Sequence, residues 1–150
     1  MLDVTSAEVR IFLHILAATI WIGGQVILVA IVPLLRPAGP EVVAGVARRF
    51  RMVAWPAYGV LLLTGAWNLI DADLDLVSDA WISTLSVKLW LVLLSGAAIL
   101  IHQVVGARAG RLEDPGAARK MRMWSGMLAG LGLLAAIASA FFGTQLARSF

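Results

Sequence analysis

The sequence predicts an all-α membrane protein, an up-down bundle of four transmembrane helices in a single domain that covers residues 1–150. Apolar residues make up 61% of the chain and charged residues only 14%, whereas an ordinary soluble domain carries about 25% charged residues. The charges lie in short segments between apolar runs, and about 20 apolar residues in a helix cross a bilayer core. The predicted spans are about 10–35, 52–70, 81–107 and 123–147.

The first apolar run, 11–35, contains no charged side chain. At about 1.5 Å per residue, a helix of this length crosses the roughly 30 Å of a bilayer core with some tilt. The segment before it carries Asp3 and Glu8 rather than a basic cluster. We therefore interpret the run as a retained span and not as a signal peptide. Pro33 and Pro37 are predicted to break the helix at its far end.

The other three runs differ in length and in small-residue content. The second, 52–70, is barely long enough to cross, and Pro56 is predicted in the first turn of its helix, where a missing N–H costs least. The third is interrupted only by Lys88, and Arg148 follows the fourth. Small residues four apart favour close helix packing in lipid, or a homo-oligomeric face. In the fourth run they are Gly126, Gly130, Gly132, Ala136, Ser139, Ala140 and Gly143.

The charged connections predict the topology, because Lys and Arg concentrate in cytoplasmic loops. The first connection carries Arg36, Arg48, Arg49 and Arg51, and the third carries Arg108, Arg111, Arg119, Lys120 and Arg122. The second carries only acids, at Asp71, Asp73, Asp75 and Asp79. Both termini are therefore predicted to be extracytoplasmic. The same placement of the charges in short loops predicts a lipid bilayer as partner and no binding of nucleic acid. The lack of cysteine separately excludes thiolate metal sites.

Three titratable side chains inside the spans are candidates for chemistry: His14, Lys88 and His102. No carboxylate lies deep in a span, which disfavours a proton-coupled transporter. His14 is predicted about 5 Å and Lys88 about 10 Å from the outer ends of their spans, while His102 lies near the cytoplasmic end. The two histidines are thus not expected to bind one ion together. His14 and Lys88 lie at depths that allow a shared site.

Polar residues recur at helical spacing on three of the predicted helices, and we expect them to face the bundle interior. They are His14, Trp21 and Gln25 on the first, Thr64 and Asn68 on the second, and Lys88, Ser95 and His102 on the third. His14 is either a functional ligand or a histidine satisfied by a neighbouring hydroxyl or carbonyl group. Lys88 either belongs to a site or extends toward the outer interface.

Methionines near the inner ends of the spans form a second group of candidates, because thioethers suit Cu(I). Met123 and Met127 are one helical turn apart, and Met52 and His102 are predicted at a similar depth. These residues are either a soft metal site on the cytoplasmic side or gap-filling side chains, a common role of methionine.

Three stretches resemble the copper-resistance D (CopD) family and are also similar to HemJ-type membrane proteins linked to protoporphyrinogen oxidation. The stretches are HILAATIWIGG at 14–24, RFR at 49–51 leading into AYGVLLLTGAWN at 57–68, and LSVKLWLV at 85–92. The likeness covers the first three spans in order and spacing. It implies a multi-pass protein of the bacterial inner membrane.

The resemblance implies two functions. A CopD-like protein would handle copper ions in copper homeostasis, by binding or transport, with His14 as the outer ligand and with His102, Met123 and Met127 as a possible exit site. A HemJ-like protein would be a redox protein that holds haem b with His14 and Lys88, and as an enzyme it would be a haem-dependent oxidoreductase. A third hypothesis is a structural or assembly subunit of a membrane complex, whose polar residues only hold the helices together.

Overall fold

The computed structural model describes residues 3–72 and 77–147. These residues form four α-helices and a short 3-10 helix, and no strand occurs among them. The helices are α1 Ser6–Leu35, α2 Pro40–Ile70, α3 Asp79–Ala109 and α4 Pro115–Ala147. All four are long and apolar enough to cross a membrane. The predicted all-α class is confirmed, and the helices indicate a multi-pass membrane protein. Asp73 and Asp75, which entered the predicted topology, and Arg148, which follows the fourth predicted span, lie outside the described residues.

α1 begins at Ser6 because Thr5 and Glu8 form a capping box. The Glu8 backbone N–H donates to Thr5 Oγ1, and the Glu8 carboxylate accepts from the Thr5 backbone N–H at 2.8 Å. Pro33 lies inside the last turns of α1 and does not end it. The chain turns at Gly39, whose φ of 106° favours glycine.

α2 and α4 begin well before the predicted spans, at Pro40 and Pro115. Proline suits the first turn of a helix, because the N–H that it lacks would have no partner there. The start of an apolar run therefore marks where a helix enters lipid rather than where the helix begins. The prediction for Pro56 was wrong for this reason. Pro56 lies inside α2, where it removes the hydrogen bond to the Met52 carbonyl.

The chain divides into two compact units, Met1–Leu76 and Val77–Phe150. In the first, α1 and α2 pack as an antiparallel pair, here called the N-terminal hairpin; in the second, α3 and α4 form the C-terminal hairpin. The four-helix bundle and the single domain stay predictions.

Aromatic rings fill the middle of the N-terminal hairpin. Trp21 is only 2% exposed, and its ring centroid lies 4.4 Å from that of Tyr58 and 5.6 Å from that of Trp55. One turn further along α1, the Phe50 ring occupies the space beside Gly24, where a Cβ would overlap it. Bulky side chains of α2 therefore pack into α1 at Trp21 and Gly24.

Small residues bring α3 and α4 together in the C-terminal hairpin. A Cβ on Gly132 would lie 2.9 Å from the Ile99 side chain and 3.2 Å from the Ser95 carbonyl oxygen, and Ser95 is almost fully buried. Of the small residues predicted to pack, Gly132, Ala136 and Ser139 are buried, whereas Gly126, Gly130 and Ala140 are exposed. Only part of the small-residue pattern in α4 thus faces α3.

Candidate functional site

His14 is held by a hydroxyl group of the facing helix. Its Nδ1 lies 2.9 Å from Thr64 Oγ1, and this buried hydroxyl donates to the Val60 carbonyl oxygen at 2.7 Å. Because the single hydroxyl proton points to Val60, the hydroxyl accepts from an Nδ1–H of His14. This network assigns the lone pair to Nε2.

The imidazole also packs against the α2 backbone. A Cβ on Gly65 would lie 3.4 Å from His14 Cε1, so a small residue at this position lets the ring approach the helix. The sequence left His14 as either a ligand or a histidine satisfied by a hydroxyl. A hydroxyl partner is present, and a hydrogen bond at Nδ1 is also what orients a histidine that ligates a metal through Nε2.

Arg10, one turn before His14, is a residue that the sequence analysis missed. Although it is only 8% exposed, its guanidinium forms an ion pair with Asp71 and lies 5.7 Å from the centre of the Trp67 ring. A signal was present in the sequence, since Arg10 lies four residues before His14 at the edge of the apolar run. The ion pair closes the end of the hairpin where α1 begins and α2 ends.

Neutralising Asp71 is expected to destabilise the protein, because the buried guanidinium of Arg10 would lose its counter-charge. A fully buried pair would lose about 3–5 kcal/mol. Asp71 is half exposed, so we expect about 1–3 kcal/mol for Asp71→Asn. Thermal unfolding of the detergent-purified protein, followed by circular dichroism, measures the change. Glu113→Gln removes an exposed carboxylate and is the control; equal midpoints for the two variants would contradict the prediction.

Lys88 lies across α4 in the C-terminal hairpin. Its side chain is half buried, and Nζ would lie 3.4 Å from a Cβ on Gly143, so the ammonium occupies space that this glycine leaves open. Within the described residues, we find no hydrogen-bond acceptor or counter-ion for Lys88. His14 and Lys88 belong to different hairpins, and their shared site stays a prediction.

His102 links α3 to α4 through Ser125. Its Nδ1 lies 2.8 Å from both the Ser125 hydroxyl and the Ser125 carbonyl oxygen, and the hydroxyl lies 3.1 Å from the His102 carbonyl oxygen. Met123 and Met127 are each two residues from Ser125, about 200° around the helix, and are 58% and 59% exposed. The structure therefore does not bring the two thioethers to His102. Metal binding by these residues stays a prediction.

No cluster of three or more His, Cys, Asp or Glu side chains suited to a metal ion occurs in the part of the chain that the structure describes. Comparison of the chain with protein-family models, curated proteins and solved structures finds no match. The oriented imidazole of His14 is therefore the feature from which a function is inferred.

Proposed function

We propose that this chain is a multi-pass protein of a bacterial inner membrane that acts in copper homeostasis, with His14 binding copper as cargo. The hydrogen bond between His14 and Thr64 carries the proposal, because a hydrogen bond at Nδ1 orients the imidazole as in histidines that ligate a metal through Nε2. Imidazole nitrogen is a good copper ligand.

The proposed arrangement in the membrane is an up-down four-helix bundle with both termini outside. It follows from the arginine and lysine residues of the first and third connections, which favour the cytoplasm. His14 then lies in the outer half of the bilayer, where a copper ion from the periplasm arrives.

Haem b binding is the second candidate, and Lys88 is the observation that favours it. An ammonium group among apolar helices needs a counter-ion, and a haem propionate would supply one. A single axial histidine suffices for haem iron, so His14 would hold the iron and Lys88 would pair with a propionate carboxylate if haem b binds. Haem b would supply one-electron chemistry when bound, and the protein would then be a redox protein.

One detergent-purified sample separates these candidates. After expression with copper and haem supplied, we expect copper in near-equimolar amount by elemental analysis and no intense haem absorption band. A haem band with matching iron content would replace the first proposal with the second. The absence of both would contradict both proposals and favour a structural subunit. His102→Ala is the control and is expected to keep the metal content of the unmodified protein.

A further inference from the structure

The beginnings of α2 and α4 carry the same short sequence. Residues 47–52 read ARRFRM and residues 118–123 read ARKMRM. Each contains three cations around one apolar residue. The first cationic patch is Arg48, Arg49 and Arg51, and the second cationic patch is Arg119, Lys120 and Arg122.

The helix presents the three cations of each patch on one face. The cations are the second, third and fifth residues of each string and lie within an arc of about 160°, whereas the fourth residue points away from them. All six cations are exposed. Phe50, the residue that points away in the first patch, packs beside Gly24, and its counterpart Met121 is half buried. Each patch is thus anchored by an apolar side chain and directed outward.

We expect both patches to lie where their helices meet the edge of a bilayer. α2 has 31 residues and α4 has 33, about 46 and 50 Å of helix, whereas a bilayer core is about 30 Å thick. The cations precede the apolar part of each helix, and the next residue in each string is an exposed methionine, Met52 or Met123. The methionines reach the acyl chains when the cations lie at the level of the phosphates.

The six cations are not neutralised by any carboxylate that the structure describes. Among the described residues, none of the six forms an ion pair, since the one ion pair found there joins Arg10 and Asp71. Glu41 lies about two turns before Arg48, and Asp114 lies five residues before Arg119. Neither acid forms an ion pair with a patch cation, so the described part of the chain supplies the six cations with no paired counter-charge.

We propose that each cationic patch binds the headgroup phosphate of an anionic phospholipid. One guanidinium group can donate two parallel hydrogen bonds to two oxygens of a phosphate. Each Lys or Arg near an anionic membrane surface strengthens membrane binding about fivefold. The adjacent methionine contacts the acyl chain of the same lipid. Each hairpin thereby holds lipid of its own, independently of metal binding at His14.

Native mass spectrometry of the full-length protein, in detergent micelles with equal amounts of phosphatidylglycerol and phosphatidylcholine, tests the proposal. We expect the unmodified protein to retain phosphatidylglycerol in preference to phosphatidylcholine. Arg48→Gln, Arg49→Gln and Arg51→Gln together are expected to lower this preference at least tenfold at the first patch. Arg119→Gln, Lys120→Gln and Arg122→Gln together are expected to have the same effect at the second patch. Arg48→Lys, Arg49→Lys and Arg51→Lys together are expected to keep the preference of the unmodified protein. Purified protein in micelles also avoids the inverted topology that charge removal can cause in cells.

The control removes three other exposed cations, with Arg36→Gln, Arg108→Gln and Arg111→Gln. A loss as large as that of the patch variants would show that net charge alone selects the lipid, and would overturn the proposal. An unchanged lipid preference in the patch variants would also overturn it, including the case in which those variants lose a co-purifying acidic protein instead. Circular dichroism checks that every variant keeps its helix content.

Discussion

His14→Ala is expected to abolish copper binding by the purified protein and to remove its effect on copper tolerance in cells. The substitution deletes the imidazole that Thr64 orients at 2.9 Å. Thr64, the partner in that hydrogen bond, offers only an oxygen atom and so does not replace the lost nitrogen ligand. Copper titration of the purified variant and growth of cells on copper measure the two effects.

Thr64→Val separates orientation of the ligand from its presence. Valine keeps the shape of the side chain but removes the hydroxyl that accepts from His14, so the imidazole loses its fixed tautomer. Loss of such a supporting partner lowers metal affinity about 10–100-fold, and we expect a value in this range for copper. Thr19→Val is the matched control, because the only partner of the Thr19 hydroxyl among the described residues is the Ile15 carbonyl oxygen of the same helix.

Two outcomes would contradict a ligand role for His14. One is unchanged copper binding in His14→Ala; the other is equal loss in the Thr64 and Thr19 variants. If haem b is the ligand, the same substitutions are expected to act on the haem absorption band instead. The absorption spectrum therefore shows whether His14 binds haem instead of copper or is not a ligand at all.

Gly132→Ala is expected to destabilise the C-terminal hairpin by about 1–3 kcal/mol, as overpacking does in a tightly packed core. The new methyl group would lie 2.9 Å from the Ile99 side chain. Ile99 can shift by rotation about its side-chain bonds, but the Ser95 carbonyl oxygen at 3.2 Å belongs to the α3 backbone. Relief of that contact requires the two helices to separate. Gly132→Leu is expected to have a larger effect for the same reason.

Gly130 provides the matched control on the same helix. No atom outside its own helix lies within 4 Å of a Cβ at that position, so Gly130→Ala is expected to be neutral or to stabilise α4 by up to about 1 kcal/mol. Reversible unfolding in mixed micelles, followed by circular dichroism, measures both variants. The expected signs are opposite. Equal effects would mean that helix propensity, rather than the close approach of α3, governs Gly132.

The site residues illustrate how far sequence reasoning reached. His14 stood out because a polar side chain within an apolar run is costly and needs a partner, and Thr64 lay on a predicted polar face. Their pairing across two helices could not be predicted, since it depends on how α1 and α2 align. Arg10 was missed because it lies at the first position of the predicted span, just before the apolar run, where a charged side chain is expected to face water. The fold instead buries it against Asp71 and Trp67.

The sequence alone determined that the chain is all-α and has four helices able to cross a membrane. The lengths of the apolar runs and the placement of the charges were sufficient, because lipid admits only helices or closed barrels and a helix needs about 20 apolar residues to cross. Only the tertiary structure decided that Gly132 rather than Gly130 receives the neighbouring helix, and that His14 meets Thr64. The reason is physical. Hydrophobicity acts on composition along the chain, whereas packing and hydrogen bonding depend on the rotation and register of one helix against another.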